Sequence, residues 1–210
     1  MYLKILILTN LLFLALTGCT SERVVDPKVA QDMIATAWHS DQHTVWQLDW
    51  PAAPIGGPVT VETWRANQGY RFEILESTAP ALVGQTLVSD GQSTWRYNRF
   101  ESNSLKMSSL PLLSPVSDAF EVIDRLINTP AASASQQEST TLNHGPARKI
   151  GVTFANGDTL TVWVDQKTGL PARIIFSVRG GDQAELQARS LESLIDPPER
   201  LFRPEINIRR

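Results

Sequence analysis

Few side chains of this sequence have the types and spacing that catalysis or metal binding requires. His39 and His43 lie four residues apart and His144 lies far from both, but no carboxylate or cysteine completes a metal site around them. Glu73 and Glu76 fall on opposite faces of a predicted strand, so they make a poor acid/base pair. No nucleophile elbow, phosphate loop or zinc-protease motif is present. We therefore predict no enzyme activity, no metal site and no cofactor.

The single cysteine, Cys19, is the residue with a definable chemistry. It ends the run Leu16-Thr17-Gly18-Cys19, which resembles the lipobox that lipoprotein signal peptidase reads. The thiol there is the nucleophile that accepts a diacylglycerol. The upstream apolar run follows Lys4 and is too short and interrupted for a comfortable membrane span, but it suits a secretory signal. We interpret residues 1–18 as a signal peptide and Cys19 as a lipid anchor; the alternative is an ordinary signal peptide with a chance cysteine.

The composition indicates a folded domain after this anchor. Hydrophobic residues make up 42% of the chain and charged residues 20%, which favours a packed domain over a disordered stalk. The formal net charge of -3 and the lack of a basic run argue against nucleic acid as a partner. We assign residues 19–25 to a lipidated tether and residues 26–210 to one domain.

Two amphipathic segments predict helices. The first has Asp26 as its N-cap and Pro27 in the first helical position. The second opens at Ser114 and ends before Pro130, and residues 129–139, rich in Ala, Ser and Gln, are predicted to form a surface loop. The first helix carries an apolar stripe made by Val29, Ala30, Met33, Ile34, Ala37 and Trp38. The second helix is expected to act as a lid through Phe120, Ile123 and Ile127.

From Thr44 onward the apolar pattern has a period of two. Alternating runs are separated by turn residues such as Asp90-Gly91 and Asn156-Gly157, which indicates antiparallel strands joined by hairpins. Counting weaker runs gives roughly ten or eleven strands. The fold class predicted from the residues is mainly β, a long curled antiparallel sheet with two helices over its apolar side.

The tryptophans raise the question of what that apolar side encloses. Alternation places Trp46, Trp50 and Trp95 inward, and Trp64 and Trp163 on the polar side. Inward aromatic side chains either fill a core or line an apolar cavity, because curled sheets with helical covers can enclose space for acyl chains. The sequence leaves both alternatives open.

Several short motifs occur in a fixed order over roughly residues 44–204. They are Val59-x-Val61-x-x-x-Arg65, Tyr70-Arg71-Phe72-Glu73, Ser89-Asp90-Gly91 with Trp95-x-Tyr97, Val162-x-Val164-Asp165-x-x-Thr168-Gly169-Leu170-Pro171 leading into Ile174-x-Phe176, and Leu201-Phe202-Arg203-Pro204. With them the chain resembles the LolA-like superfamily of bacterial envelope proteins. That group includes the lipoprotein carrier LolA, the receptor LolB, the N-terminal domain of the sigma-E regulator RseB and related lipid-binding lipoproteins.

The resemblance implies an unclosed barrel of about eleven strands, with helices at its mouth and an apolar interior that takes acyl chains. In the carrier, an arginine on an early strand contacts lid backbone and helps hold the cavity closed, and Arg65 matches that position. The alternative is a surface arginine at a strand end. Ala66 stands where the family usually has proline, so the family's hairpin is not carried over to this turn. The binding residues are then expected among the inward positions Trp46, Leu48, Trp50, Val61, Arg65, Phe72, Ile74, Trp95, Val162 and Phe176.

The leading hypothesis is a membrane-anchored protein of the cell envelope that binds acyl chains and takes part in lipoprotein or lipid transfer and localisation. Its partners would be a membrane, through lipidated Cys19, and the acyl chains of lipids or lipoproteins. Thr20 after the cysteine favours the periplasmic face of an outer membrane. One alternative is an RseB-like envelope-stress module that contacts a membrane or periplasmic protein, and another is a packed structural lipoprotein without a cavity.

Overall fold

A computed structural model describes residues 22–51, 53, 57–100, 104–107, 114–178 and 182–204. The two helices are α1, Pro27–His39, and α2, Ser114–Asn128, and short 3-10 turns lie at Pro80–Leu82 and Glu199–Phe202. The strands are β1 Arg23–Val25, β2 Gln42–Asp49, β3 Val59–Ala66, β4 Gly69–Glu76, β5 Gln85–Ser89, β6 Thr94–Asn98, β7 Ser104–Met107, β8 Ala131–Leu142, β9 Gly145–Phe154, β10 Thr159–Asp165, β11 Pro171–Val178 and β12 Asp182–Ser193.

All twelve strands belong to one antiparallel sheet. Their order is β1-β8-β9-β10-β11-β12-β2-β3-β4-β5-β6-β7. Strands β2 to β7 and strands β8 to β12 are two meanders that meet where β12 pairs with β2. Because β1 and β7 do not pair with each other, the sheet is unclosed. The predicted fold, an open antiparallel sheet with two covering helices, is confirmed, with one short strand more than the eleven expected.

The core lies between one face of this sheet and the two helices. Trp46 pairs with Val61 across β2 and β3, and Val162 pairs with Ile150 and Ile174 in the other meander, so apolar side chains of both halves share a face. Asp26 caps the N-terminus of helix α1, and its carboxylate accepts hydrogen bonds from two backbone N–H groups of the first turn. The predicted lid residues Phe120, Ile123 and Ile127 are only 3%, 0% and 5% exposed. Burial of each such side chain contributes about 1.5–3 kcal/mol.

Two segments differ from the prediction. Residues 129–139 were expected to be a loop, but Ala131–Leu142 is strand β8, paired with β1 on one side and β9 on the other. Ala, Ser and Gln have weak strand preference, yet pairing on both sides satisfies their backbone groups and Ala134 is buried in the core. Within the predicted tether, Arg23–Val25 forms strand β1, so the folded domain begins closer to Cys19 than expected.

The predicted signal peptide and Cys19 lie outside the described residues, and the predictions made for them remain predictions. Among the residues that the structure does describe, neither helix has the combination of length and apolar character that a membrane-crossing segment needs.

Candidate functional site

The predicted binding residues, with one exception, lie on the face of the sheet that packs against the helices. Trp46, Leu48, Val61, Ile74, Val162 and Phe176 are buried in the core, and Trp50 and Phe72 are partly buried against it. The ring of Trp50 meets that of Phe176 edge-on at 5.5 Å. Arg65 lies on the same face at the end of β3, where it pairs with Gln42 and Tyr70.

Trp95 is the exception, and the expectation that it faces the interior was wrong. Phe72 on the core face pairs with Leu87, and Leu87 pairs with Arg96. Trp95 precedes Arg96, so it points to the opposite face. Arg71 and Arg173 each precede a core-face residue, so both arginines lie on the outer face. Trp64 pairs with Arg71 and Trp163 pairs with Arg173, so both tryptophans lie on that outer face, as predicted.

The two helices fill the interior. Ile34 and Trp38 of α1 and Phe120 of α2 are almost completely buried. The ring of Phe120 lies 5.6 Å from that of Trp38 and 4.7 Å from that of Phe72. Of the two alternatives that the sequence left open, the described residues favour the packed core, since apolar side chains of both helices and the sheet lie against one another there.

Openings lie beside the helices in the described part of the chain. A small cleft of about 20 Å³ lies under the start of α2, between Phe72, Leu87 and Val116. A larger groove of about 410 Å³ runs between α1 and strands β9 and β10. We call it the α1 groove, and its lining residues include Val29, Asp32, Met33, Thr36, Arg148, Ile150 and Val164.

Arg65 joins the sheet to both helices. Its Nη2 lies 3.2 Å from Oδ2 of Asp124 in α2, and its Nη1 donates to the backbone carbonyl of Trp38 in α1 at 3.5 Å. The guanidinium carbon is 4.3 Å from the centroid of the Trp38 ring, and the Trp38 indole N–H donates to the Asp124 carboxylate. We call Arg65, Trp38 and Asp124 the Arg65 clasp.

The electrostatics of the clasp follow from its burial. The Arg65 side chain is only 15% exposed, so it is not the surface arginine that the alternative required. Burial lowers the pKa of the Arg65 guanidinium, and the charge and hydrogen bonds of Asp124 oppose that shift. Burial also lowers the pKa of the neighbouring His39, and the Arg65 charge lowers it further. The site therefore favours a single positive charge, on Arg65, which the Asp124 carboxylate balances.

A second polar contact fastens the helices to each other. The side-chain amide of Gln31 in α1 donates to the carbonyl oxygens of Ile127 and Thr129. These carbonyls lie at the end of α2, where helical backbone has no partners of its own. The Gln31 side-chain oxygen accepts a hydrogen bond from the N–H of Ala131 at 3.4 Å. Sequence reasoning missed Gln31, Trp38 and Asp124 as fasteners, although Asp124 stands next to the apolar stripe of α2, where a charge needs a partner.

The outer face of the sheet carries paired charges and stacked rings. His43 lies 2.8 Å from Glu62 and stacks on Trp64 with a ring separation of 4.8 Å. Arg71 and Arg99 both contact the buried Glu73. No group of residues that could hold a metal ion occurs within the described ranges.

No protein-family model matches the chain, and no curated protein sequence matches it. Solved structures do. An uncharacterized conserved protein from Thermus thermophilus matches with a TM-score of 0.54 at 12% identity, over 85% of this chain and 94% of that chain. MucB matches with a TM-score of 0.56 at 16% identity, over 85% of this chain and 62% of MucB. A LolA superfamily protein from Nitrosomonas europaea matches with a TM-score of 0.44 at 14% identity, over 86% of this chain and 98% of that chain.

The chain shares its fold with the Thermus protein and with a part of MucB a little under two thirds of MucB's length. At these identities the matches establish the fold alone. The LolA-like resemblance drawn from the sequence is confirmed as a resemblance of fold.

Proposed function

We propose that this protein is a non-enzymatic, lipid-anchored protein of the cell envelope that binds acyl chains of lipids or lipoproteins. The observation that carries the proposal is a continuous apolar sheet face covered by two separate helices, which the Arg65 clasp and Gln31 help to fasten. An acyl chain that entered between this face and a helix would meet apolar side chains on both sides. Opening that space would break the Arg65 clasp, so the clasp adds to the cost of opening.

The membrane anchor belongs to the same proposal. A diacylglycerol on Cys19 would hold the domain at one membrane, where it would receive or hand over lipid without crossing the envelope. Thr20 favours the periplasmic face of an outer membrane. Mass spectrometry of the mature N-terminal peptide tests this directly: the wild type should carry acyl chains at Cys19, and Cys19→Ser should stay unmodified. An unmodified wild-type cysteine would refute the anchor.

A titration tests the binding function independently of the anchor. The domain without Cys19 is mixed with a fluorescent 16-carbon fatty acid and examined in parallel by native mass spectrometry. We expect a saturable fluorescence change and a one-to-one adduct. Arg65→Met should bind faster than the wild type, because the clasp no longer resists opening. If neither method detects a complex, the proposed function is wrong.

The filled interior favours a second candidate, a packed structural lipoprotein that binds no ligand. The two candidates differ in one measurable property of the core. A structural protein should show no fatty-acid binding even when the clasp is removed by Arg65→Met, and its α2 amides should exchange with solvent only on global unfolding.

A third candidate is a regulatory binding module. The same fold occurs in MucB, which has been solved in complex with MucA(peri). The corresponding expectation is that this domain captures the periplasmic part of a membrane protein. A pull-down from solubilised envelopes, competed with fatty acid, would separate this role from lipid binding, since competition would show that both ligands use one surface.

A further inference from the structure

The α1 groove offers more space for a ligand than the cleft under α2, while the core between helices and sheet is filled. Resting on the proposed acyl-chain-binding function and its anchor, we infer that the α1 groove takes one acyl chain of a phospholipid from the membrane that holds Cys19. The groove volume of about 410 Å³ falls within the roughly 300–1,000 Å³ usual for small-molecule sites.

The lining of the α1 groove has the two chemistries of a phospholipid. Met33 and Val164 supply apolar surface beside the buried Ile150, and Val29 at the edge of the groove is 54% exposed although apolar. Arg148 supplies a positive charge, with its side chain 38% exposed and its Nε 3.3 Å from a Glu138 carboxylate oxygen. A guanidinium has five N–H donors, so this ion pair does not exhaust its capacity for a phosphate.

The negative charge in the groove is already balanced. Asp32 of α1 lies 2.6 Å from the ammonium group of Lys28, one helical turn earlier. Arg148 is also paired, with Glu138, but it is the lining cation whose remaining N–H donors can face an anionic headgroup.

The path of the chain brings the lipid anchor close to this groove. The Glu22 carboxylate accepts a hydrogen bond from the Ser135 hydroxyl at 2.9 Å and lies 3.5 Å from the Lys149 ammonium, so the chain is fixed to β8 and β9 at this point. Cys19 precedes Glu22 by three residues, which span at most about 10 Å.

The strand register fixes the remaining distance. Arg23 pairs with Gln136 of β8, and Gln136 pairs with Ile150, which lines the groove. Two strand spacings correspond to about 10 Å. With the proposed lipid at Cys19, the length of chain between Arg23 and Cys19 would keep the anchor within roughly 20–25 Å of the groove, so bilayer phospholipid would be the ligand with the highest local concentration there.

Photo-crosslinking tests the inference. The full lipidated protein is reconstituted in vesicles of phosphatidylethanolamine and phosphatidylglycerol that contain phospholipid with a diazirine in one acyl chain. After irradiation, crosslinked peptides are mapped by mass spectrometry. We expect crosslinks to concentrate on Val29–Ala37 and on the peptides that carry Ile150 and Val164.

Filling the groove provides the decisive comparison. Thr36→Trp places a large ring in the groove from an exposed helix position and should reduce crosslinks there at least fivefold. Val29→Trp is a second variant with the same expectation, in case Thr36→Trp fails to fold. Arg125→Trp, at an exposed position of α2 away from the groove, is the matched control and should leave the yield unchanged.

The outcomes separate this inference from the proposed function. Crosslinks confined to Phe72 or Leu87 in the cleft, crosslinks confined to Val24 on exposed β1, or groove crosslinks unaffected by either tryptophan would overturn the inference. In all three cases, fatty-acid binding by the anchor-free domain would still support the proposed function. Failure of that titration would instead remove the proposed function itself.

Discussion

Replacement of Arg65 by methionine should destabilise the protein by about 1–2 kcal/mol. The change removes the ion pair with Asp124 and the contact with the Trp38 ring, but keeps an apolar stem of similar length. Charge-assisted hydrogen bonds contribute about 1.5–3 kcal/mol when buried. The Asp124 side chain is 39% exposed, so solvent screening moves this pair toward the ~1 kcal/mol of surface pairs. The ring contact adds about 0.5–1 kcal/mol.

A double-mutant cycle isolates the ion pair from the rest of the clasp. Urea unfolding, followed by tryptophan fluorescence, gives the free energy of unfolding of the wild type, Arg65→Met, Asp124→Asn and the double variant. Asparagine can still accept the Trp38 indole hydrogen bond, so the cycle reports mainly on the charges. We expect a coupling energy of about 1 kcal/mol.

Arg173→Met is the matched control because Arg173 makes similar contacts on the outer face. It lies 2.8 Å from Glu185 and 4.7 Å from the Trp163 ring centroid. Both variants should lose stability, but only Arg65→Met should speed hydrogen exchange of the α2 amides. A coupling energy within about 0.3 kcal/mol of zero, or unchanged exchange in α2, would show that Arg65 does not hold the helices on the sheet.

Three further predictions concern stability, each measured by urea unfolding. A Cβ at Gly69 would overlap the carbonyl oxygen of Ser89, so Gly69→Ala should lower the free energy of unfolding by more than about 2 kcal/mol. A Cβ at Gly151 would meet only a movable hydroxyl at 3.3 Å, so Gly151→Ala should lower it far less. Burial lowers the pKa of His39 below 6.5, so the unfolded state binds more protons and the free energy of unfolding should fall as the pH drops below about 6.5. His39→Gln should make this fall less steep. Ile123 is fully buried, and Ile123→Ala should cost about 2–5 kcal/mol.

Each of these has a result that would contradict it. Equal losses for Gly69→Ala and Gly151→Ala would mean that the hairpin adjusts freely. The same pH dependence in the wild type and in His39→Gln would remove His39 as its source. A near-neutral Ile123→Ala would show that α2 is not packed against the sheet.

Alternation along the strands predicted the sheet and its core face, because burial on one side leaves a period-two record in the sequence. The same pattern failed for β6, where Trp95 and Tyr97 share a face but that face is the outer one. Periodicity shows which residues of a strand share a face, but it does not show which face packs against the helices. For β6 that face is known only from the strand register, in which Leu87 pairs with Phe72 of the core. The part of strand β8 over residues 131–139 escaped prediction because its small polar residues carry little alternation, and pairing with the neighbouring strands is what makes it a strand.

The candidate site was predictable only in part. The inward residues followed from alternation, and Arg65 was identified through the family resemblance. Its partners, Trp38 and Asp124, lie 86 residues apart, and no local pattern links them. The packing of the interior could not be predicted from the sequence either, because a lined cavity and a packed core require the same residue types.

The place where β12 meets β2 has a consequence for how the chain folds. Gln187 pairs there with Gln47, about 140 residues earlier, whereas most other neighbouring strands are joined by short hairpins. The strands of each meander can pair through local turns, but pairing β12 with β2 requires closure of a very long loop. Until β12 pairs with β2, both are unpaired edge strands that can form hydrogen bonds with strands of other chains. The yield of refolding should therefore fall steeply with protein concentration, and export in an unfolded state would make a chaperone for these edges an advantage.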